Sequence, residues 1–262
     1  MDTYYEEIFV RNTGLVEDKV QQTIKDTKLL ICGIGMGSLI AELALRTGFV
    51  FLTLVDNDRV AMSNLNRQAY TFSDARTAKR KTHALKRRLL AINPYAKIQV
   101  LTRYVTSSGL PKVINSTDVI IDAIDISEMG AILAVQEQAR KAEKVVFSPF
   151  NLANSSALIV FDKDSSNLQE MLGVTRRDDT TFVETMTLWL DFCLSNQKKF
   201  PQRFLRFMKN YTERIRYHGW CPLPQLGTTT YLTAALTVSV IVQYLHGEKV
   251  RLAPEFYVCT LP

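Results

Sequence analysis

Residues 28–56 read KLLICGIGMGSLIAELALRTGFVFLTLVD, a stretch whose apolar residues change from a continuous run to a helical spacing and back. This pattern predicts a strand over 28–32, a glycine turn over 33–37, a helix that ends at Gly48, and a second strand over 51–56. A strand–helix–strand unit of this kind makes its two strands parallel, with a right-handed crossover. We therefore expect a sheet that is built outward from this unit.

The segments that follow continue the alternation of strands and helices. The apolar spacing predicts a basic helix over 74–93, strands over 97–105, 118–125, 144–150 and 155–162, and a helix over 128–142. Such alternation is typical of an α/β fold. We predict a Rossmann-like, doubly wound, mostly parallel sheet with flanking helices.

The last hundred residues have a different character. Residues 165–217 are rich in Lys, Arg and Phe and are predicted to be mostly helical, an apolar helix follows over 228–246, and a last strand over 255–261. We therefore predict two portions. Residues 1–161 form a nucleotide-binding domain, and 162–262 a helical C-terminal insertion that packs on the same domain and serves substrate or dimer contacts.

Composition and charge exclude several classes of protein. The 262 residues are 47% hydrophobic and 22% charged, with a net charge of +6 that permits an anionic ligand but does not require nucleic acid. The basic segment 78–90 lacks interleaved aromatic residues and reads as a solvated helix.

The apolar run 231–245 is shorter than a membrane-spanning helix and carries polar residues, so it predicts a buried helix. The four cysteines form no CxxC pair, and no secretory signal is visible, so we expect a cytoplasmic protein with free thiols.

The glycine turn GIGMG contains Gly33, Gly35 and Gly37 between a strand and the start of a helix. Glycines at this place let backbone N–H groups approach a phosphate, and the helix dipole favours its charge. A tight turn that binds no ligand would use the same residues. Asp56 ends the next strand, where an acid in a dinucleotide-binding fold bonds a ribose hydroxyl. Both a nicotinamide enzyme and another nucleotide-binding enzyme remain open at this point.

The segment VDNDRVAMSNLNRQ, residues 55–68, distinguishes these two possibilities. It resembles the pattern D-x-D-x-V-x-x-x-N-L-x-R-Q of the ThiF/MoeB/HesA family, the E1-like (ubiquitin-activating-enzyme-like) adenylyltransferases. Every fixed position of that pattern is met. The matching residues are Asp56, Asp58, Val60, Asn64, Leu65, Arg67 and Gln68.

The resemblance implies an ATP site. Asp56 would hold the ribose, Asp58 belongs to the same nucleotide-binding set, and Asn64, Arg67 and Gln68 would reach the phosphates. An arginine suits this task because its planar fork binds two oxygens at once.

Two further positions are similar to the family's functional residues. Lys81 resembles its phosphate-binding lysine, although Lys79 and Arg80 leave the register open by a residue or two. Asp125 resembles the acid that holds Mg2+ near the reacting phosphate, since hard oxygen ligands suit this ion. Asp122 is the alternative for that acid, and a turn or helix-capping role is the alternative for Asp125.

The N-terminal segment FVRNTGL, residues 9–15, resembles the family's Y-x-R-Q-x-x-L. It implies that Arg11 reaches a nucleotide, in the family often across a dimer interface. The chain also departs from the pattern in two ways. The glycine turn is one residue shorter than G-x-G-G-x-G, and the zinc-binding CxxC pairs of many relatives are absent.

The resemblance therefore implies an ATP-dependent adenylyltransferase, and we expect a homodimer. It would activate a carboxylate, the C-terminus of a ubiquitin-like or peptide partner or a small-molecule acid, as an acyl-adenylate with release of pyrophosphate. The alternatives are a NAD-dependent oxidoreductase on the same kind of fold and a non-catalytic scaffold. Whether Cys221 forms a thioester afterwards is left open, and its alternative role is structural.

Overall fold

The protein is an α/β domain around one mixed sheet, as seen in a computed structural model that describes residues 3–105, 110–152, 155–173 and 181–260. Within these residues the sheet has seven strands. They are β1 Lys28–Cys32, β2 Phe51–Val55, β3 Lys97–Leu101, β4 Val119–Asp122, β5 Val145–Leu152, β6 Ser155–Phe161 and β7 Phe256–Thr260. The α-helices are α1 Thr3–Phe9, α2 Asp18–Asp26, α3 Gly37–Thr47, α4 Phe72–Arg76, α5 Lys81–Ile92, α6 Leu110–Asn115, α7 Met129–Lys141, α8 Leu168–Leu172, α9 Phe182–Ser195, α10 Gln202–His218 and α11 Gly227–Leu245.

The strand order is β3-β2-β1-β4-β5-β6-β7. The first five of these strands pair in parallel, whereas β6 is antiparallel to both β5 and β7. The predicted Rossmann-like, mostly parallel sheet is therefore confirmed. The order reverses between β1 and β4, and in such sheets ligands bind outside the carboxyl ends of the strands at this point.

Two apolar layers cover the faces of the sheet. Along β1 the side chains alternate, with Leu29 and Ile31 in one layer and Leu30 and Cys32 in the other. The first layer packs against α2, α3, α5 and α11, and the second against α6, α7, α9 and α10. The C-terminal helices therefore complete the core of the same domain.

The prediction of one basic helix over 74–93 is wrong, because this segment forms two separate helices, α4 and α5. Thr71 and Asp74 cap α4 reciprocally at its start. The helical backbone is interrupted at Ala78, which has a positive φ of 43°. Arg80 then forms an isolated β-bridge with Arg59, so that α5 begins at Lys81. The break places Lys81 at the start of a helix instead of inside one.

Other boundaries also differ from the prediction. The third strand ends at Leu101, earlier than expected, and helix α6 was not predicted. The stretch 165–217 is mostly helical as predicted over α8, α9 and α10, and its residues 174–180 lie outside the described ones.

Helix α11 is long and apolar enough to cross a membrane by length and composition, and it is the one such helix in the described residues. Its threonine-rich face is buried, with Thr229, Thr230, Thr233 and Thr237 fully covered. The helix packs against α3, β5 and β6. This packing agrees with the predicted buried helix.

Candidate functional site

An open cleft of about 900 Å³ lies at the carboxyl ends of β1, β2 and β4, where the strand order reverses. It collects most of the residues that the sequence predicted. The predicted residues that line it are Gly33, Gly35, Asp56, Asp58, Asn64, Arg67, Gln68, Lys81 and Asp125. Residues separated by more than ninety positions in the chain therefore meet in one place because parallel strands end at the same edge.

The glycine turn approaches the neighbouring strand so closely that only glycine fits at its start. Gly33 has a φ of +79°, and a Cβ atom there would lie 2.5 Å from the carbonyl oxygen of Ala123. The Ser38 hydroxyl ties the turn down by donating to the Gly35 carbonyl at 2.7 Å and accepting from the Ala69 amide at 3.0 Å. Ser38, the small residue after the glycine turn, therefore stabilises the turn through its hydroxyl group.

Gly37 does not line the cleft. It is the first residue of α3, where a Cβ atom would lie 3.0 Å from Ile31 and 3.3 Å from the side chain of Ala123. This glycine allows close packing of helix on sheet. The geometry therefore does not place Gly37 where it would contact a ligand in the cleft, as the sequence predicted.

Asp56 connects the glycine turn to the polar segment after β2. One of its carboxylate oxygens accepts from the Ile34 amide at 2.9 Å, and the other accepts from the Asp58 amide at 2.7 Å. Each oxygen has a second lone pair, so the carboxylate can still accept from a hydroxyl group of a ligand. The local bonds fix its orientation toward the cleft.

Lys81 is the lysine of its segment that reaches the cleft. Its side chain is buried and donates to the Asp58 carboxylate at 2.8 Å, whereas Lys79 is exposed. Arg80 points its guanidinium at the Asn57 carbonyl, 2.6 Å away. The break between α4 and α5 therefore places Lys81, and not Lys79, in the cleft.

Arg67 is held by three hydrogen bonds. Its Nε donates to the Gln225 side chain at 2.6 Å, and one terminal nitrogen donates to the Ser63 carbonyl at 2.6 Å and to Asn66 at 2.9 Å. Burial lowers the pKa of Arg67, and the charge of Asp125 acts in the opposite direction. A guanidinium stays charged under such a shift, so the cleft keeps a fixed cation.

Gln225 is a site residue that the sequence did not predict. It lies in the loop before α11, about 160 residues from Arg67, and nothing in PLPQLG marks it as functional. Its backbone carbonyl also accepts from Asn66 at 3.0 Å. The C-terminal portion therefore supports the polar segment of the first portion directly.

Asn64 and Gln68 both line the cleft, but their side chains differ in the hydrogen bonds that they make. The Asn64 side-chain oxygen accepts from the Ala61 amide at 2.9 Å, which leaves its amide nitrogen for a ligand. The Gln68 oxygen is buried and has no hydrogen-bond partner among the described residues. A buried polar atom without a partner costs about 1–3 kcal/mol, which a bound ligand would relieve.

The two acids after β4 are in opposite environments. Asp125 is exposed at the cleft, and one of its oxygens accepts from the Ser127 amide at 3.0 Å and hydroxyl at 2.8 Å. Asp122 is buried behind the cleft, 3.4 Å from the Ser148 hydroxyl. Burial raises the pKa of Asp122 to about 7. Asp125 is therefore the better placed of the two for a cation.

The raised pKa of Asp122 predicts how stability depends on pH. The folded protein keeps this proton up to about pH 7, whereas the unfolded chain loses it near pH 4, so stability falls as the pH rises between these values. The expected slope is about 1.4 kcal/mol per pH unit. Asp122→Asn should flatten this part of a urea-denaturation profile, and the exposed Asp191→Asn should leave it unchanged. An unaltered slope in Asp122→Asn would contradict the assignment.

Arg11 is not brought to the cleft of its own chain. It is exposed in the 3-10 turn Val10–Asn12, and the neighbouring Asn12 bonds the Thr47 carbonyl at 3.0 Å. Thr47 ends α3, whereas the cleft lies at the start of this helix. At 1.5 Å per residue the two ends are about 16 Å apart. Any contact of Arg11 with a nucleotide would have to come from another copy of the chain.

Cys221 is buried and does not line the cleft. Its carbonyl accepts from the Tyr211 hydroxyl at 2.6 Å, which anchors the loop before α11 on α10. Cys221 therefore lies in a loop, but it is buried, and a nucleophile would need an accessible, polar setting. The geometry supports the structural alternative.

Fold and cleft together define a Rossmann-like α/β protein with a polar cleft at the strand ends, where three acids and two cations meet. Comparison with known proteins specifies the family. A profile of the ThiF family matches residues 9–262, and the chain belongs to that family.

Relatives of the chain include several adenylyltransferases. The molybdopterin-synthase adenylyltransferase of Haemophilus influenzae is 25% identical over 169 residues, 64% of this chain and 69% of that protein. The sulfur carrier protein ThiS adenylyltransferase of Bacillus subtilis is 33% identical over 115 residues, 43% of this chain and 34% of that protein. The tRNA threonylcarbamoyladenosine dehydratase of Escherichia coli is 33% identical over 123 residues, 46% of each protein. The chain thus spans less than half of the last two.

Solved structures share the fold over the whole chain. The structure of PaaA has a TM-score of 0.73 at 17% identity and covers 100% of this chain and 81% of its own. That of E. coli MccB with ATP has a TM-score of 0.68 at 17% identity, with 100% and 71% covered.

Proposed function

We propose that the chain is an ATP-dependent adenylyltransferase that activates a carboxylate as an acyl-adenylate. The arrangement of two cations and two amides around a close-packed glycine turn carries this proposal. Arg67 and Lys81 supply positive charge where phosphates would lie, and Asn64 and Gln68 supply polar groups beside them. Membership of the ThiF family and the names of the relatives support it.

The residues present fit ATP. Glycines at the turn permit close approach of phosphate to backbone. The unpaired Gln68 amide oxygen is an acceptor, so a hydroxyl group of the ligand, and not a phosphate oxygen, could pair with it. In the reaction a carboxylate oxygen attacks the α-phosphorus. The bond from that phosphorus to the bridging oxygen breaks, and its electron pair leaves with pyrophosphate. Fixed cations stabilise the charge that develops in this step.

The residues also fit Mg2+. The described residues contain no group of three or more His, Cys, Asp or Glu that could hold a metal by itself. Magnesium is commonly bound by one or two carboxylates together with substrate phosphates and water. Asp125 has one oxygen bonded to Ser127 and would offer the other. Mg2+ would neutralise phosphate charge, and Asp125 would hold it at the cleft.

The partner is a carboxylate, and we propose the C-terminus of a peptide or ubiquitin-like protein or a small-molecule acid. One of the similar structures is E. coli MccB with AMPCPP and MccA, and a relative acts on the sulfur carrier ThiS. We further propose a cytoplasmic protein without a nucleic-acid or membrane partner. The basic residues of α5 do not alternate with aromatic residues in the sequence.

The proposed reaction is tested by ATP–pyrophosphate exchange with Mg2+ and candidate acids. Exchange that depends on an added acid and is lost in Asp125→Ala supports an adenylyltransferase. Binding of NADH without binding of ATP would instead support the oxidoreductase alternative. Binding of ATP without exchange for any acid would support the scaffold.

We propose that the active form is a homodimer in which Arg11 completes the partner's cleft. Arg11→Ala and Arg67→Ala should each be nearly inactive, whereas their mixture should recover about a quarter of the wild-type exchange rate. Each mixed dimer of an isologous pair holds one intact site, and half of the dimers are mixed. Sedimentation of the wild-type chain checks the dimer. A fully active Arg11→Ala, or a mixture that recovers nothing, would refute this arrangement.

A further inference from the structure

A surface groove begins at the mouth of the cleft. It lies between the 3-10 turn Met62–Asn64, helix α10 and the loop before α11, and it is open to solvent. Its cavity volume is about 570 Å³, which is in the range of spaces that hold ligands. Arg67, Leu223 and Gln225 line both the groove and the cleft. A ligand with one end at Arg67 can therefore continue into the groove.

The walls of the groove carry exposed apolar side chains. Met62 is 48% exposed and Leu226 is 58% exposed, and Phe207 and Pro224 lie beside them. Single exposed apolar residues are common on protein surfaces, whereas several that line one groove form a patch that gains from being covered. The groove is therefore suited to the apolar parts of a ligand.

Two hydrogen-bond donors of the groove are available to a ligand. The Gln225 oxygen accepts from Arg67, so that its amide nitrogen is turned away from that residue. Neither this nitrogen nor the Ser63 hydroxyl bonds any described residue. An extended peptide presents backbone carbonyl oxygens that accept from such donors, and a small acid does not.

The groove is positively charged. Its lining contains Arg67 and Arg203 and no acidic residue among those that the structure describes. Helix α10, which is described throughout, carries five exposed basic residues and one exposed acid, Glu213. The five are Arg203, Arg206, Lys209, Arg214 and Arg216. The surface beside the cleft therefore favours a ligand with negative charge beyond its reacting carboxylate.

The helical spacing extends the charge away from the groove. Arg203, Phe207, Asn210 and Arg214 follow one another at intervals of four, three and four residues, so they share one face of α10. No described residue forms an ion pair with Arg203 or Arg214. The two arginines are about 16 Å apart along the helix, which about five residues of an extended chain would span.

A nucleic acid is the other ligand that a basic face attracts. Single-stranded nucleic acid binds chiefly by stacking its bases on exposed aromatic side chains. The exposed apolar walls of this groove are Met62 and Leu226, which offer no ring, and Phe207 is partly buried. The groove therefore favours a peptide over a nucleic acid.

We infer that the groove binds the segment just before the C-terminus of a peptide or protein substrate, with an acidic side chain of that segment at Arg203 and the terminal carboxylate in the cleft. This inference rests on the proposed adenylyltransferase function. It narrows the substrate from any carboxylate to a chain with acidic residues near its end. A small-molecule acid would occupy the cleft alone.

The inference is tested with two pools of acetylated heptapeptides in the ATP–pyrophosphate exchange assay. The last two positions are randomised in both pools, and the five before them alternate Glu with Leu in one pool and Lys with Leu in the other. At low salt the acidic pool should have a KM about tenfold below that of the basic pool, because several charge contacts change sign between them. At about 1 M salt the Debye length falls to about 3 Å, and the difference should nearly vanish.

Charge reversal on α10 tests the position of the contact. Arg203→Glu should abolish or invert the preference between the pools without changing the KM for ATP. Lys209→Glu makes the same change in charge on the same helix, but about 120° around it from Arg203, and it does not line the groove. It should keep the wild-type preference. Arg203 is exposed, so equal Tm values of the variants and the wild type check that all of them are folded.

A binding measurement separates this inference from the proposed reaction. The acidic pool, carrying a fluorescent label at its N-terminus, should bind the wild type without ATP, as followed by fluorescence anisotropy. Arg203→Glu should weaken this binding about fivefold or more, and Lys209→Glu should not.

The possible outcomes are distinct. Exchange that is equal for both pools and unaffected by Arg203→Glu overturns the groove assignment and leaves the adenylyltransferase intact. Binding of the acidic pool that depends on Arg203, without any exchange, supports the groove and contradicts the proposed reaction. Absence of any preference in binding and exchange overturns the groove assignment. A single-stranded RNA that binds through Arg203 more tightly than the acidic pool would also overturn it, in favour of a nucleic-acid site.

Discussion

Arg67→Ala is expected to lower the rate of acid-dependent ATP–pyrophosphate exchange about 100- to 1,000-fold. This is the usual cost of removing one preorganised group that stabilises developing charge. Arg67 fits that role because Gln225, Ser63 and Asn66 hold its guanidinium in a single orientation at the cleft. Arg67→Lys should recover little, since a lysine cannot reproduce the planar fork.

The control for this prediction is Arg76→Ala, which removes the same charge from the exposed end of α4. It should leave the exchange rate unchanged. Gln225→Ala should lower kcat by a smaller factor, about tenfold, with little change in the KM for ATP, because it frees Arg67 without removing it. A loss below threefold in Arg67→Ala at saturating ATP would exclude Arg67 from the reaction.

Gly33→Ala should have the largest effect on folding, with a loss of about 2–4 kcal/mol in the free energy of unfolding. Two costs add at this position. A side chain disfavours the φ of +79°, and its Cβ atom would lie 2.5 Å from the Ala123 carbonyl oxygen, a backbone atom that cannot move aside alone. For a chain of this size the expected fall in Tm is roughly 5–15 °C.

Gly247→Ala is the matched control for this substitution. Its φ is +78°, nearly the same, but a Cβ atom added there would meet nothing within 4 Å beyond its chain neighbours. It should cost only about 1 kcal/mol from backbone strain. Thermal and urea denaturation of both variants separate the clash from the strain. Equal losses in the two variants would show that the close approach of turn and strand is unimportant.

Several features of the site could be predicted from the sequence because their signals are local. Fixed spacing after the second strand identified Asp56, Asn64, Arg67 and Gln68, and all four line one cleft. The strands were placed by their apolar runs, which depend only on neighbouring residues. The change from parallel to antiparallel pairing after β5 could not be predicted from the sequence, because parallel and antiparallel buried strands have similar composition.

Other features depend on contacts between distant segments. Lys81 could not be separated from Lys79 by spacing, since the break at Ala78 arises where the segment meets Asp58 and Arg59. Gln225 reaches Arg67 from about 160 residues away. Such a pair has no local pattern, and packing alone brings it together.

The sequence by itself determined the α/β alternation, the family and the polar set of the nucleotide cleft, because short spacing encodes each of these. Tertiary structure decided which acid after β4 is exposed, which lysine enters the cleft, and where Arg11 lies. The physical reason is that burial and distance are properties of the packed chain, whereas periodicity is a property of neighbouring residues.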